Sequence, residues 1–349
     1  MTPLRTSILL AMFLASLTYA ADKEKKTAPL FASNDLLEIT IRGPFTTIMR
    51  ERSRDEDVPG TLTYRDPEAG DMTVELGIRT RGRYRHQSRV CPWAPLRLDI
   101  RKSTAKETVF KGSNKLKLVT HCRNGASRYT QSLLAEHLAY RIFNQVTDNS
   151  FRVRLLRVTY VDTDKGDRER TEFAFLIEHR NQVAKRIGLD VNGVESIEVD
   201  QLNGAHLNLA SMFQYLIGNT DFSPIRAASG EPCCHNNVLF GEQKGAIEAI
   251  PYDFDMSGIV DARYATPNPK FNLRSVRERL YRGRCENNQY LEASKQAFID
   301  KKQAIYDLAR NDEHFSNGTR KKTIGYIDLF YELIENPKKF QAKIVDECV

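Results

Sequence analysis

The most constraining part of this 349-residue chain is the stretch 218–258. It follows a wide-faced apolar run over 202–217, with Leu207, Leu209, Met212, Phe213, Leu216 and Ile217, the pattern of a buried helix. Gly218 is placed to cap that helix, and the polar triplet Asn219-Thr220-Asp221 comes directly after it. His235-Asn236-Asn237 follows. Two short apolar strands, 238–240 and 247–250, then flank a Gly-Glu-Gln-Lys-Gly turn and lead into Asp253-Phe254-Asp255. Carboxylates and carboxamides at the edges of buried elements are costly unless something pairs with them. Hard oxygen ligands gathered in this way suit Mg²⁺ or Mn²⁺ carried on a phosphorylated nucleotide. The hairpin returns its far end to its start, which brings Asn236 close to Asp253.

The front of the chain reads differently. Alternating apolar and polar residues predict strands at 36–41, 61–64, 72–79, 95–100 and 115–120, a small antiparallel sheet over 36–122. Leu134, Leu138 and Ile142 recur at helical spacing in an amphipathic helix over 130–143. A hairpin is expected at 153–160 and 172–178, a short helix at 183–187, and a Pro- and Asn-rich loop at 259–275. Helices occupy 288–312 and 319–346. The order divides into an N-lobe of 35–178 and a C-lobe of 179–349, with a hinge near 176–182.

The first 20 residues have the form of a secretory signal: Arg5, an apolar run over 7–17, and small residues leading to Ala20, where cleavage is expected. Residues 21–34 are then a flexible leader, and the mature protein is expected to be exported, periplasmic or secreted. No later stretch reaches the ~20 apolar residues of a membrane helix, so no membrane span is expected. In an oxidising compartment the six cysteines read as disulfides. Their 15 full pairings are not separable by sequence. Cys91 with Cys122 is preferred because each ends or begins a strand in the same region, and a Cys233–Cys234 bond would brace the long gap between Asp221 and Asn236. The net charge of +7 comes from Lys and Arg spread along the chain among acidic residues, which argues for a solvated surface and against a nucleic-acid partner. The one dense cluster is the arginine-rich 79–89. There is no HExxH and no Ser-His-Asp arrangement. Asn317-Gly318-Thr319 is a glycosylation sequon.

A helix delivering an Asp, then an Asn, then a hairpin delivering Asp-Phe-Asp resembles the CotH-type kinases, atypical secreted or spore-coat relatives of protein kinases. The resemblance covers about 79–260. It rests mainly on Asn219-Thr220-Asp221, His235-Asn236 and Pro251-Tyr252-Asp253-Phe254-Asp255, and extends to Arg81-Gly82, Leu96-Arg97-Leu98 and Lys115-Leu116-Lys117-Leu118. It implies an α+β, two-lobed atypical protein kinase-like fold, with an antiparallel sheet and one helix in the N-lobe and a mainly helical C-lobe. Asp221 takes the catalytic acid/base position. Asn236 and Asp253 take the metal positions, with Asp255 as a further metal candidate. Lys117 and Glu136 are similar to the kinase Lys–Glu pair that grips the nucleotide phosphates, with Lys115 competing for the lysine's place. Arg81 joins them on the cofactor side, although the cluster 79–89 reads equally well as a solvated loop. The cofactors implied are ATP and Mg²⁺ or Mn²⁺, and the substrate is a Ser or Thr of an exported or envelope protein. The chain departs from the pattern in having no GxGxxG, in carrying Arg81-Gly82-Arg83-Tyr84 where the family has Arg-Gly-Asn-Ser, and in placing Trp93-Ala94 where paired basic residues are expected. Two alternatives stay open: a catalytically inactive, pseudokinase-like binding or assembly protein, and nucleotide-dependent transfer of another group, AMP.

Overall fold

Alternating strands expose an apolar face that must be covered, and here the sheet covers it by closing on itself. The computed structural model describes residues 27–227 and 233–349; the signal expected at 1–20 lies outside the described residues. The elements of the first half are β1 (Leu37–Gly43), α1 (Phe45–Glu51), β2 (Val58–Asp66), β3 (Gly70–Thr80), β4 (Leu96–Ile100), β5 (Lys115–Val119), α2 (Ser127–Val146), β6 (Val153–Asp162) and β7 (Arg168–Ile177). Their strands form a closed barrel in the order β1-β2-β3-β4-β5-β7-β6. Every pair is antiparallel except β1 with β6, where Ile39 lies opposite Val158 in parallel register. The alternation sends Ile41, Leu62, Val74, Leu98, Leu118 and Leu156 into the barrel interior. Phe45 of α1 plugs one side, its ring 5.4 Å from Trp93 and 5.2 Å from Tyr160. Of the leader expected to be loose, Leu30 and Phe31 form a turn and are buried in this same core.

The second half contains α3 (Arg180–Ile187), β8 (Val191–Asn192), α4 (Gly204–Ile217), β9 (Asn237–Phe240), β10 (Glu248–Pro251), α5 (Leu291–Asp300), α6 (Lys302–Arg310), α7 (Asn317–Ile334) and α8 (Pro337–Phe340). Strands β10-β9-β8 make a small second sheet. The Asn203 side chain starts α4 by accepting from the N–H groups of Ala205 and His206.

The two-lobed kinase-like fold expected from the sequence is contradicted. The front sheet is a closed, mixed, seven-stranded barrel and not an open antiparallel sheet with one helix. Eight α-helices occur among the described residues, two of them in the first half. The hairpin β6–β7 is the reason. It pairs with β5 on one side and β1 on the other, removing both free edges. One apolar cluster then joins α2 and the barrel wall to the later helices, running through Leu134, Phe175, Phe213, Ile250, Ile305 and Phe330.

Three disulfides are present: Cys91–Cys122, Cys233–Cys234 and Cys285–Cys348. They are compatible with an oxidising compartment. Among the described residues no helix is long and apolar enough to cross a membrane.

Candidate functional site

The site begins where α4 stops. Gly218 ends the helix in the left-handed region at φ 64°, and a Cβ there would collide with the Tyr326 hydroxyl, so only glycine fits. Asn219 is buried and donates to the Gln214 side chain at 2.9 Å, while its Oδ1 accepts from the Asp221 N–H at 2.9 Å. This Asx-type turn sets the direction of Asp221. Arg282 brackets the turn by donating to the carbonyls of Thr220, at 3.0 Å, and Phe222, at 2.7 Å.

Asp221 is held on two sides. His235 Nε2 lies 2.9 Å from its Oδ1, and Asn236 Nδ2 donates to its main-chain oxygen at 2.6 Å and to its Oδ2 at 3.2 Å. The Asp221 hydrogen bond raises the His235 pKa above the usual histidine value against the effect of burial. The β9–β10 register sets Pro251 opposite Asn237, and the Tyr252 N–H donates to the Asn236 carbonyl at 3.0 Å, so the hairpin does bring its ends together. Asn236 and Asp253 both have left-handed backbones, at φ 54° and 65°. Such strain outside glycine persists where surrounding contacts hold it. At Asp253 the holding contact is its N–H to the Tyr140 hydroxyl of α2, at 2.8 Å. Phe254 is fully buried between the rings of Tyr140, at 4.5 Å, and Phe213, at 5.2 Å. That anchor leaves the two flanking carboxylates beside the cleft.

Arg81, Arg85, Lys117 and Arg180 line the same cleft of about 480 Å³ as Asp221, Asn236, Asp253 and Asp255. The volume is in the range of small-molecule sites. The Lys117 Nζ stands 4.3 Å from the centre of the Tyr252 ring. Burial first, and then Arg81, push the Lys117 pKa down to about 7, with Asp253 opposing. Burial first, and then the Asp253 charge, push the Asp255 carboxyl up to about 7, although Arg85 and the Tyr264 hydroxyl, 3.1 Å away, favour its charged form.

Glu136 sits behind this cleft, buried, with its pKa well above the usual carboxylate range through burial and then the charge of Asp255. Its ion pair runs to Arg85 at 3.6 Å and not to Lys117. The expected Lys117–Glu136 pair is therefore replaced. Arg85, from the loop after β3, reaches Glu136 and also donates to the Thr120 carbonyl at 2.6 Å, while Lys117 on β5 is taken up by Tyr252. Arg85, Tyr264 and Arg282 were not singled out by the sequence. The density of arginines at 79–89 was the one signal that pointed toward Arg85. Nothing local marks Tyr264 or Arg282.

Among the described residues no three His, Cys, Asp or Glu side chains are already gathered as a metal chelate. The donor set nevertheless suits a hard cation. Asp253 and Asp255 repel each other, and Asn236 has committed its Nδ2 to Asp221, leaving its carbonyl oxygen as an oxygen ligand. No protein-family model and no curated protein matches the chain.

Proposed function

We propose that the cleft transfers phosphate from ATP to a Ser or Thr hydroxyl of an exported or envelope protein. The observation that carries this reading is the opposition of Arg81 and Lys117 to Asp221, Asn236 and Asp253 around one cleft. The resemblance of 219–258 to CotH-type kinases supports it. Asp221, held by His235 and Asn236, orients the acceptor hydroxyl and takes its proton. Asn236 and Asp253, with Asp255 nearby, would hold Mg²⁺ or Mn²⁺, which supplies charge neutralisation at the phosphates. Arg81, Lys117 and Arg180 face the phosphate charge. An anion arriving opposite Lys117 favours its protonated form. Catalysis then comes from positioning and fixed charge.

The test is a thermal shift with Mn²⁺ or Mg²⁺ plus ATP, followed by product analysis with labelled ATP. The expected outcome is a metal-dependent rise that Asp253→Ala removes, with label in the γ-phosphate moving to protein hydroxyls. Absence of any shift with either cation sinks the reading, and label transferred as AMP replaces phosphate transfer with nucleotidyl transfer. A second reading, a binding or assembly protein without turnover, draws on the missing Lys117–Glu136 pair. It predicts the shift without the transfer.

A further inference from the structure

The chain that follows Asp255 touches the elements of the candidate site through Tyr264, Asn268 and Arg282, within residues 259–284. Its start is fixed to the end of α4, with the Gly258 N–H donating to the Gly218 carbonyl and the Ile259 N–H to the Ile217 carbonyl. Further along, Tyr264 donates to Asp255, the Asn268 amide to the Thr220 carbonyl at 3.4 Å, and Arg282 to the carbonyls on either side of Asp221. The segment therefore flanks the carboxylate proposed to meet the acceptor.

Its charge is one-sided. Residues 259–284 hold seven Lys or Arg against two acids, Asp261 and Glu278. Six of the seven divide into two kinds, and Arg284 is half-buried. Arg277, Arg279 and Arg282 are tied to main-chain carbonyls and hold the segment in place. Asp261 is neutralised by Lys322. Arg263, Lys270 and Arg274 are exposed, and among the described residues their side chains have no hydrogen bond, ion pair or ring partner. Arg226, five residues past Asp221, is exposed in the same way. A rim of unpaired cations beside a site attracts and orients an anionic partner.

We propose that this rim docks an acidic polypeptide, with carboxylates near the acceptor residue meeting Arg263, Lys270 and Arg274. The orientation of a hydroxyl toward Asp221 rests on the phosphotransfer reading; the docking does not. A nucleic acid fits less well. Binding to single strands uses exposed aromatic faces as stacking platforms; Phe271 of this segment and the neighbouring Phe222 lie under the Arg282 guanidinium at 4.7 and 4.5 Å, and the exposed Tyr84 at the cleft is held to Tyr264, its hydroxyl donating to the Tyr264 carbonyl at 3.3 Å.

The experiment measures binding of fluorescent Ser-containing peptides (acidic, neutral and basic) and of a single-stranded oligonucleotide to the full chain by anisotropy. The acidic peptide is expected to bind about tenfold more tightly than the neutral one, with the advantage shrinking as salt rises. The triple variant Arg263→Ala, Lys270→Ala, Arg274→Ala is expected to lose about tenfold in that affinity, since each exposed pair contributes modestly. Its thermal shift with Mn²⁺ and ATP should stay unchanged. Arg274→Glu alone provides a second variant. Equal binding of neutral or basic peptides, equal binding of the oligonucleotide, or wild-type affinity in the triple variant overturns the proposal. The same peptides are then incubated with γ-labelled ATP and Mn²⁺: acidic-peptide preference in binding with no label transferred to any peptide leaves docking in place and counts against the phosphotransfer reading. Transfer to all peptides alike does the reverse.

Discussion

Asn236 donates through one nitrogen to both the main-chain oxygen and the carboxylate of Asp221, fifteen residues earlier in the chain. With His235 on the other carboxylate oxygen, Asp221 is positioned by two side chains from the start of the β9–β10 hairpin. Under the proposed phosphotransfer, Asp221→Asn keeps the shape and removes the proton acceptor. Phosphate transfer should fall by about 10²–10⁴ while the metal–ATP thermal shift persists. Asn236→Ala should instead remove that shift and lower stability by about 1 kcal/mol, because it takes a hydrogen-bond donor from a carboxylate that is 34% exposed and that water can partly resatisfy. Single-turnover transfer by Asp221→Asn at the wild-type rate would exclude the acid/base role.

How far these contacts were legible depends on how local they are. The end of α4, the β9–β10 hairpin and the acidic turn lie within one continuous stretch, so hydrophobic period and turn residues locate them nearly to the residue. Cys91 and Cys122 could be paired because both sit beside strands of one sheet. Barrel closure was not legible. The parallel pairing of Leu37–Gly43 with Leu156–Asp162 joins segments more than a hundred residues apart, and alternation marks a strand without naming its neighbour. The same limit hid the partner of Glu136. Spacing along the chain suggested Lys117, whereas Arg85 arrives from a loop whose path depends on the closed barrel.

The Arg85–Glu136 pair has side chains only 10% and 2% exposed, so neither charge is relieved by water. Glu136→Ala removes one carboxylate from Arg85 but leaves it the charges of Asp255 and Asp253, and should cost about 3 kcal/mol in urea unfolding, the low end for breaking a buried pair. The double variant Arg85→Met, Glu136→Leu should recover most of that loss, since replacing a buried pair with apolar groups is often neutral. A Glu136→Ala variant as stable as the parent would mean that solvent reaches the pair.

His137 on α2 provides a separate pH signature. It is buried beside Phe175, its Nε2 has no hydrogen-bond partner among the described residues, and burial, then Arg141 and His314, push its pKa down to about 3. The unfolded chain takes up this proton near the ordinary histidine value of about 6.5, while the folded chain resists until about 3. Stability is therefore lost as pH falls from about 6.5 toward 3. His137→Leu should be near neutral at pH 8 and should raise Tm relative to the parent at pH 5. Parallel Tm curves for the two proteins across that window would show that His137 is not the group responsible.

Cys285–Cys348 closes a loop with a sequence separation of 63, while Cys91–Cys122 closes one of 31. Chain entropy makes each worth about 4 kcal/mol, and doubling the loop adds only about 0.6 kcal/mol. Replacing either pair by serines should therefore lower unfolding free energy by similar amounts, despite the difference in span. The C-terminal pair has a local reinforcement: the Cys285 N–H donates to the Val349 carbonyl at 3.2 Å and the Val349 N–H to the Gly283 carbonyl at 2.9 Å. Those bonds keep the two segments adjacent in the native state after the sulfurs are removed, so the loss arises in the unfolded chain. Denaturant unfolding of Cys285→Ser/Cys348→Ser and Cys91→Ser/Cys122→Ser measures both. A loss at the C-terminal pair several kcal/mol larger than at the other would rule out loop entropy as the main cause and assign the difference to packing of the last helices.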